Sequence, residues 1–392
     1  MPRLSILREQ FKKVFNSSAE EIRIFFAPGR VNLIGEHTDF TGGYVLPAAL
    51  SYGTWAAVRL RKDGKFCLTS TSFDEKVEFD TDRMDHQQEE VWANYPKGVI
   101  REFDKFGFRL SGCDMLFDGN IPKGAGLSSS ASIEMVTAIA IKELETLDLS
   151  RLKLIQLSQR AENQFVGVNC GIMDQFASGM GKAGHALLLK CDSLAFRNVP
   201  LYLGDYQLVL TNSNKPRSLT QSKYNQRRQE CEAGEKAILK YLPSVSCLGD
   251  VTLEQWESVP KKGFSPEAYK RLDHVVHENA RVLASTIALE AGDIETFGKY
   301  MVKSHESLRD LFEVTGPELD TLFEESRQTL GCLGTRMTGA GFGGCTVSLV
   351  HKEAIADFEA QVTRGYQAKT GLTPTFYSGE IGDGVHEILA AI

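Results

Sequence analysis

No stretch of this sequence carries about 18 consecutive apolar residues, so no membrane-spanning helix is expected. No C-x-x-C pair occurs among its eight cysteines, which argues against a zinc ribbon or a thioredoxin-type pair. Internal repeats and low-complexity tracts are absent, and ordinary globular usage (42% apolar, 24% charged) disfavours disorder, collagen and coiled coil. Excess basic charge is missing too. Lys plus Arg is 44 against 51 Asp plus Glu, a net charge of −7, which argues against a general nucleic-acid or anionic-membrane binder. A polyanion held in one local basic pocket stays open. Charges interrupt the apolar residues of the N-terminus, which lacks a signal-peptide core and reads as an amphipathic helix. Scattered cysteines without an export signal lead to the expectation of reduced thiols and a cytoplasmic protein.

What is present is length enough for two lobes, since 392 residues exceed one domain of about 150. Gly179, Gly181 and Gly184 cluster where a boundary fits, giving lobes of 1–180 and 181–392. Strand patterns cover Ile22–Phe26, stopped by Ala27-Pro28-Gly29, then Thr54–Leu60, Lys65–Thr71, Asp114–Phe117, His185–Lys190, Tyr206–Leu210, Cys345–Val350 and Thr375–Tyr377. Ile133, Val136, Ala140, Leu144 and Leu147 recur at helical spacing. A second helix runs from Leu152 to Phe165 with Ser150 as its cap, another starts near Ile172, and 265–330 is mostly helical. Helices and strands do not alternate regularly. The expected class is therefore α+β with mixed sheets.

Three clusters carry chemistry. The first is Pro122-Lys123-Gly124-Ala125-Gly126-Leu127-Ser128-Ser129-Ser130-Ala131-Ser132, directly before the best helix. Small residues let backbone approach an anion, and the first N–H groups of a helix have no internal partner. The serine hydroxyls suit phosphate oxygens or a magnesium ion. A Gly-rich turn with a serine cap is the plainer alternative. The second cluster is Gly29-Arg30-Val31-Asn32-Leu33-Ile34-Gly35-Glu36-His37-Thr38-Asp39, whose acceptors and donor suit a ligand rich in hydroxyls. The third is Glu162 followed by Gly171, Asp174 and Gln175. An aspartate in a first helical turn is held ionised by the helix dipole, which suits a base, a cation ligand or simply a cap.

Other signals are set aside. Gly339-Ala340-Gly341-Phe342-Gly343-Gly344 matches G-x-G-x-x-G but opens a strand-like run, not the helix a dinucleotide fold needs. No Walker A loop, H-E-x-x-H, H-R-D or D-F-G occurs. His274 and His277 share a helix face and read as exposed histidines, since nothing completes a metal site around them.

Together the three clusters resemble the GHMP small-molecule kinases, and Thr338 to Cys345 resembles their C-terminal Gly-rich motif. Within that superfamily the run from Gly29 to Asp39 is similar to the galactokinase signature. Cys170-Gly171-Ile172-Met173-Asp174-Gln175-Phe176 and Trp92-Ala93-Asn94-Tyr95-x-Lys97-Gly98 are similar as well. Phe40 stands where that family usually has Tyr, and Ala340 where Gly is common.

The resemblance implies a two-lobed fold with the site between the lobes. It also implies transfer of the ATP γ-phosphoryl group to the C1 hydroxyl of α-D-galactose. It makes Asp174 the base and gives Arg30 the task of holding Asp174 ionised and steadying the moving phosphoryl group. Glu36, His37, Thr38 and Asp39 fall in the sugar-binding stretch, with Gly171 and Tyr224 as further contacts. Gly124, Ala125, Gly126, Leu127, Ser128, Ser129 and Ser130 would cradle the phosphates. Ser130 and Glu162 would hold Mg²⁺, and Ser70 and Trp92 would lie near the adenine. A kinase for N-acetylgalactosamine or arabinose, or a sugar sensor without turnover, stays open as an alternative. The oligomeric state is open, and a monomer is compatible with the sequence.

Overall fold

The computed structural model describes residues 2–17, 22–122, 124–216 and 220–389. Helix α1 (Pro2–Phe15) is followed by β1 (Arg23–Asn32), β2 (Tyr44–Val45), β3 (Pro47–Leu60), β4 (Lys65–Ser70) and β5 (Phe73–Asp80). Helix α2 (Asn94–Lys105) and β6 (Cys113–Gly119) lead to α3 (Ser129–Leu144), α4 (Arg151–Ala161) and α5 (Met173–Met180). Next come β7 (His185–Lys190), β8 (Phe196–Pro200) and β9 (Tyr206–Asn212). A helical stretch follows: α6 (Thr220–Tyr241), α7 (Leu253–Ser258), α8 (Pro266–Glu290), α9 (Ile294–Ser307) and α10 (Pro317–Arg327). The chain ends in β10 (Cys332–Thr338), β11 (Cys345–His351), α11 (Ile355–Thr370), β12 (Thr375–Ser378) and β13 (His386–Glu387).

The first sheet has the order β13-β1-β3-β6-β4-β5 and is antiparallel except for the parallel β4–β6 pair. The second, β10-β11-β9-β12, is antiparallel throughout. A third, β2-β7-β8, joins the two-residue β2 to a hairpin. Mixed sheets under helices are the α+β arrangement expected from the irregular order of elements. Apolar residues of α3 (Met135, Val136, Ala138, Ile139) share a core with Ala56, Val58 and Phe117 of the first sheet. A second core joins Val31, Leu33, Ala125 and Leu127 to Leu210, Phe297 and Val347. The end of β1 and the glycine-rich loop are thus packed against the second sheet. Segments placed in the second lobe also pair with the first: β7 with β2, and β13 with β1.

Two local expectations change. The strand begun at Ile22–Phe26 does not stop at Ala27-Pro28-Gly29 but runs on to Asn32, with a register shift between Pro28 and Arg30. Proline is tolerated there because β13 pairs only with Phe25 and Phe26, so no ladder partner asks Pro28 for an N–H. The helix expected from Leu152 to Phe165 ends as α helix at Ala161 and finishes in a π turn, Glu162–Val166. Ser150 does cap it, accepting the Lys153 N–H at 3.2 Å. None of the described helices is long and apolar enough to cross a membrane.

The glycine-rich loop lies directly on β1. The Arg30 N–H donates to the Leu127 carbonyl at 3.1 Å. A Cβ on Gly29 would sit 2.4 Å from that same oxygen, closer than any real contact. Gly29→Ala should therefore lift the loop and cost about 1–3 kcal/mol, the usual range for overpacking. Urea denaturation reads the loss, and an unchanged midpoint would mean that loop and strand are not in register contact.

Candidate active site

A cavity of 360 Å³ opens where β1, the loop before α3, the first turn of α5 and helix α6 converge. Its lining includes Arg30, Glu36, His37, Asp39, Gly124, Gly126, Leu127, Ser128, Ser129, Ser130, Glu162, Gly171, Asp174 and Tyr224. Three clusters far apart in sequence thus face one space.

At its centre lies an ion pair. Arg30 Nε and Nη2 donate to the two oxygens of Asp174 at 2.8 and 3.0 Å, and Nη1 donates to the Gly126 carbonyl at 2.7 Å. The Ser128 hydroxyl donates to Asp174 Oδ2 at 2.6 Å. Ser128 takes a left-handed backbone, φ 60°, at the start of α3, which aims its side chain across to α5. Arg30 and the serine loop are therefore tied to the same carboxylate.

The 36–39 loop forms one wall. Glu36 is buried, with Oε1 accepting the Gly339 N–H at 2.9 Å and Oε2 paired with the buried Arg336. Burial raises its carboxyl, and Arg336 opposes that only in part. His37 stacks on Phe312 at 4.5 Å, with φ 62°, and burial, then His274, hold its imidazole down at about 3. It is neutral at any physiological pH. Burial first and Asp174 second push the Asp39 carboxyl up to about 6. A Cβ at Gly171 would fall 1.8 Å from Asp39 Oδ2, so only glycine lets the 171 backbone reach this carboxylate. The Tyr224 ring packs 5.7 Å from that of His37. Thr38 is different: it does not line the cavity, and its hydroxyl lies 2.8 and 2.7 Å from the Gly35 and Tyr44 carbonyls, closing the loop.

On the opposite side Ser130 and Glu162 line the cavity together, and burial first and Asp174 second push the Glu162 carboxyl up to about 7, with the Ser130 hydroxyl acting in the opposite sense. Gln175 Nε2 donates to Glu162 Oε2 at 2.6 Å and to Glu134 Oε2 at 2.9 Å. Carboxylates crowd this side, and among the described residues Arg30, paired with Asp174, is the cation in contact with them, so the residues present fit a hard divalent cation.

Some expected residues lie elsewhere. Ala125 is turned into the core, away from the cavity. Ser70 ends β4, where its hydroxyl accepts the Ser72 N–H at 3.1 Å, and Trp92 stacks on Phe73 at 5.8 Å; neither lines the cavity. Lys123 lies outside the described residues. His274, expected on an exposed face, is fully buried and touches the site from behind. Its Nε2 lies 3.1 Å from the Glu36 carbonyl and must carry the proton, leaving Nδ1 to accept from the Ser307 hydroxyl at 2.8 Å. Glu134, Arg336 and Glu278 were not anticipated. A lone acid between Ile133 and Met135 on an apolar helix was the available signal for Glu134.

Comparison with known proteins agrees with this geometry. Residues 9–60 match the galactokinase galactose-binding signature, 94–182 the GHMP kinases N terminal domain and 285–368 the GHMP kinases C terminal family. A Halalkalibacterium halodurans galactokinase is 53% identical, covering 94% of this chain and 93% of its own. A Bacillus subtilis galactokinase is 45% identical, covering 97% of this chain and 99% of its own. The solved Lactococcus lactis galactokinase complexed with galactose is 41% identical, with a TM-score of 0.94 over 98% of this chain and 100% of that one. Methanococcus jannaschii mevalonate kinase, 18% identical with a TM-score of 0.65 over 92% of this chain and 98% of its own, shares the fold. Fold and family models together define a GHMP small-molecule kinase. Within that class, the chain belongs to the galactokinase family.

The raised Glu162 carboxyl has a consequence for stability. Unfolded, it titrates at 4.5, whereas the folded chain holds its proton to about 7. The neutral form is favoured by folding, so this contribution is intact below pH 4.5 and is lost as pH climbs through about 7. One such group makes the ligand-free protein roughly 3 kcal/mol less stable across that window. Glu162→Gln should flatten the slope, as read by urea denaturation at a series of pH values. A slope equal to wild type would assign the effect to another group.

Proposed function

We infer that this protein transfers the γ-phosphoryl group of ATP to the C1 hydroxyl of α-D-galactose, giving galactose 1-phosphate and ADP. One observation carries the mechanism: Asp174 lies in the same cavity as both the Gly171–Asp39 contact and the serine loop. A base for the sugar hydroxyl and a cradle for the phosphates thus share one carboxylate, through Arg30 and Ser128.

Asp39, His37, Glu36 and Tyr224 hold the sugar, with the Gly171 backbone beside Asp39. Neutral His37 can donate or accept without adding charge. Backbone of Gly124 to Ser130 and the N-terminus of α3 receive the phosphates. Ser70 and the buried, unpartnered Trp92 Nε1 are the residues we assign near the adenine. Ser130 and Glu162 would hold Mg²⁺, which when bound offsets the charge of the phosphate oxygens. The C1 oxygen forms the new bond to phosphorus as its proton passes to Asp174 and ADP leaves. Arg30 fixes that carboxylate and lies where charge builds on the phosphoryl group. Every group comes from one chain, so a monomer suffices, and we place the reaction in the cytoplasm, where ATP is at hand.

A coupled ADP-release assay across galactose, N-acetylgalactosamine, arabinose and glucose tests the reading. Turnover on galactose should dominate, and its absence would sink the assignment. Asp39→Ala should raise the galactose KM by roughly one to two decades, the worth of a buried hydrogen bond, with the ATP KM nearly constant. Equal loss for both substrates would make the loop merely structural.

Asp174→Asn keeps the size but removes charge and proton acceptor. We expect kcat to fall by at least about 10² with little change in ATP affinity. Arg30→Ala should lose a similar amount, and the double variant less than the sum, because the two side chains act as one unit. Near-normal turnover in Asp174→Asn would overturn this mechanism.

A further inference from the structure

Asp174 and Gln175 are neighbours in the first turn of α5, yet their surroundings differ. Asp174 faces the cavity, whereas Gln175 is fully buried. Both hydrogens of the Gln175 amide are used on acids: Glu162 Oε2 at 2.6 Å and Glu134 Oε2 at 2.9 Å. Glu134 is itself fully buried on α3, and no ion pair reaches it among the described residues. Among the described residues its Oε1 has no hydrogen-bond partner, nor has Gln175 Oε1.

As packing this is a poor arrangement. An apolar side chain of similar volume would avoid the desolvation of a carboxyl and an amide that are each only half satisfied. What the arrangement does achieve is direction. The Glu134 carboxyl fixes the plane of the Gln175 amide, and the amide fixes one oxygen of Glu162. Glu162 needs such a hold because it opens the π turn at the end of α4, where the regular helical ladder is interrupted. The Cys170 thiol adds a weaker contact to the same oxygen at 3.4 Å.

We propose that Gln175, anchored on the buried Glu134 carboxyl, is a positioning residue that aims Glu162 at the divalent cation. This rests on the reading of Glu162 as a cation ligand. One helical turn then places both the base and the support of the metal ligand, so the two cannot drift apart independently. Partners that orient a metal ligand in this way are typically worth 10–100-fold in metal affinity.

The test uses Mn²⁺ as probe on the full-length protein with a non-hydrolysable ATP analogue, free Mn²⁺ being read by electron paramagnetic resonance. Galactose binding is measured separately by calorimetry without nucleotide. Gln175→Leu and Glu134→Leu should each weaken Mn²⁺ by about 10–100-fold, leaving galactose affinity near wild type. Glu134→Gln should retain most of the Mn²⁺ affinity, because its carbonyl still accepts from the Gln175 amide. Should Glu134→Leu not fold, Gln175→Asn, which keeps the amide but shortens its reach, should show the same selective loss. Unchanged Mn²⁺ affinity in Gln175→Leu, or an equal fall in galactose affinity, overturns the proposal. Glu162→Gln separates the two levels. If it weakens Mn²⁺ while Gln175→Leu does not, only the positioning role is lost. If it too leaves Mn²⁺ unaffected, the ligand assignment falls and the positioning role with it.

Discussion

The Arg30 guanidinium is the group on which the rest of the site depends. It is 4% exposed and spends three of its N–H donors on fixed partners, two on Asp174 and one on the Gly126 carbonyl. Its own backbone N–H holds Leu127. A strand, a glycine-rich loop and a helix start are joined through one residue. Lysine could not do this, because a point charge lacks the planar fork that grips both carboxylate oxygens while a third donor reaches the loop. The left-handed Ser128 is affordable only because Asp174, so held, gives its hydroxyl a partner.

Arg30, even with Arg228 acting on Asp39, does not balance the acids around it. Asp39, Glu134, Glu162 and Asp174 lie on or just behind the same cavity, and burial raises the carboxyls of the first three. The fold thus carries an electrostatic deficit that a cation would relieve. Structure alone would favour fewer acids. Their presence is intelligible if the site's task is to hold a divalent cation beside phosphate, and stability is the quantity given up.

The parts that the sequence disclosed are those built from contiguous residues. Gly124 to Ser130 stands out as a tight loop against a helix start because glycine and serine before a helix have a local meaning, and Glu36 to Asp39 stands out as a polar cluster for the same reason; the structure brings residues of both to one cavity. The α+β class followed from the irregular order of strand and helix patterns. What escaped was set by tertiary contact. The strand through Pro28 depends on how short β13 is, and the π turn at Glu162 on packing around α4. His274 was read from its own helix, yet Phe312, Ser307 and the Glu36 carbonyl bury it. Thr38 lies inside a legible motif but serves the loop's own backbone, a distinction that only the hydrogen bonds reveal.

The buried charges behind Glu36 give the distal half of the chain a share in the 36–39 loop. Arg336 on β10 is fully buried and pairs with Glu36, donates to the Asn32 carbonyl at 3.1 Å and to the Ser304 hydroxyl at 3.2 Å. Glu278 on α8 accepts the Gly35 N–H at 3.0 Å. Burial alone would raise its carboxyl, but Arg281 foremost, with Arg336 and the Ser304 hydroxyl, outweighs burial and holds it at about 2. Glu36 lacks that surplus of positive neighbours, and burial wins there. Two acids share one arginine, and the one that is better compensated anchors the loop backbone while the other faces the cavity. Removing Arg336 would leave two buried acids and two buried acceptors short of a partner, so its loss would disturb the loop and the β10–α8 packing together. The residues after 265 therefore fix the wall against which Asp39 and His37 are placed.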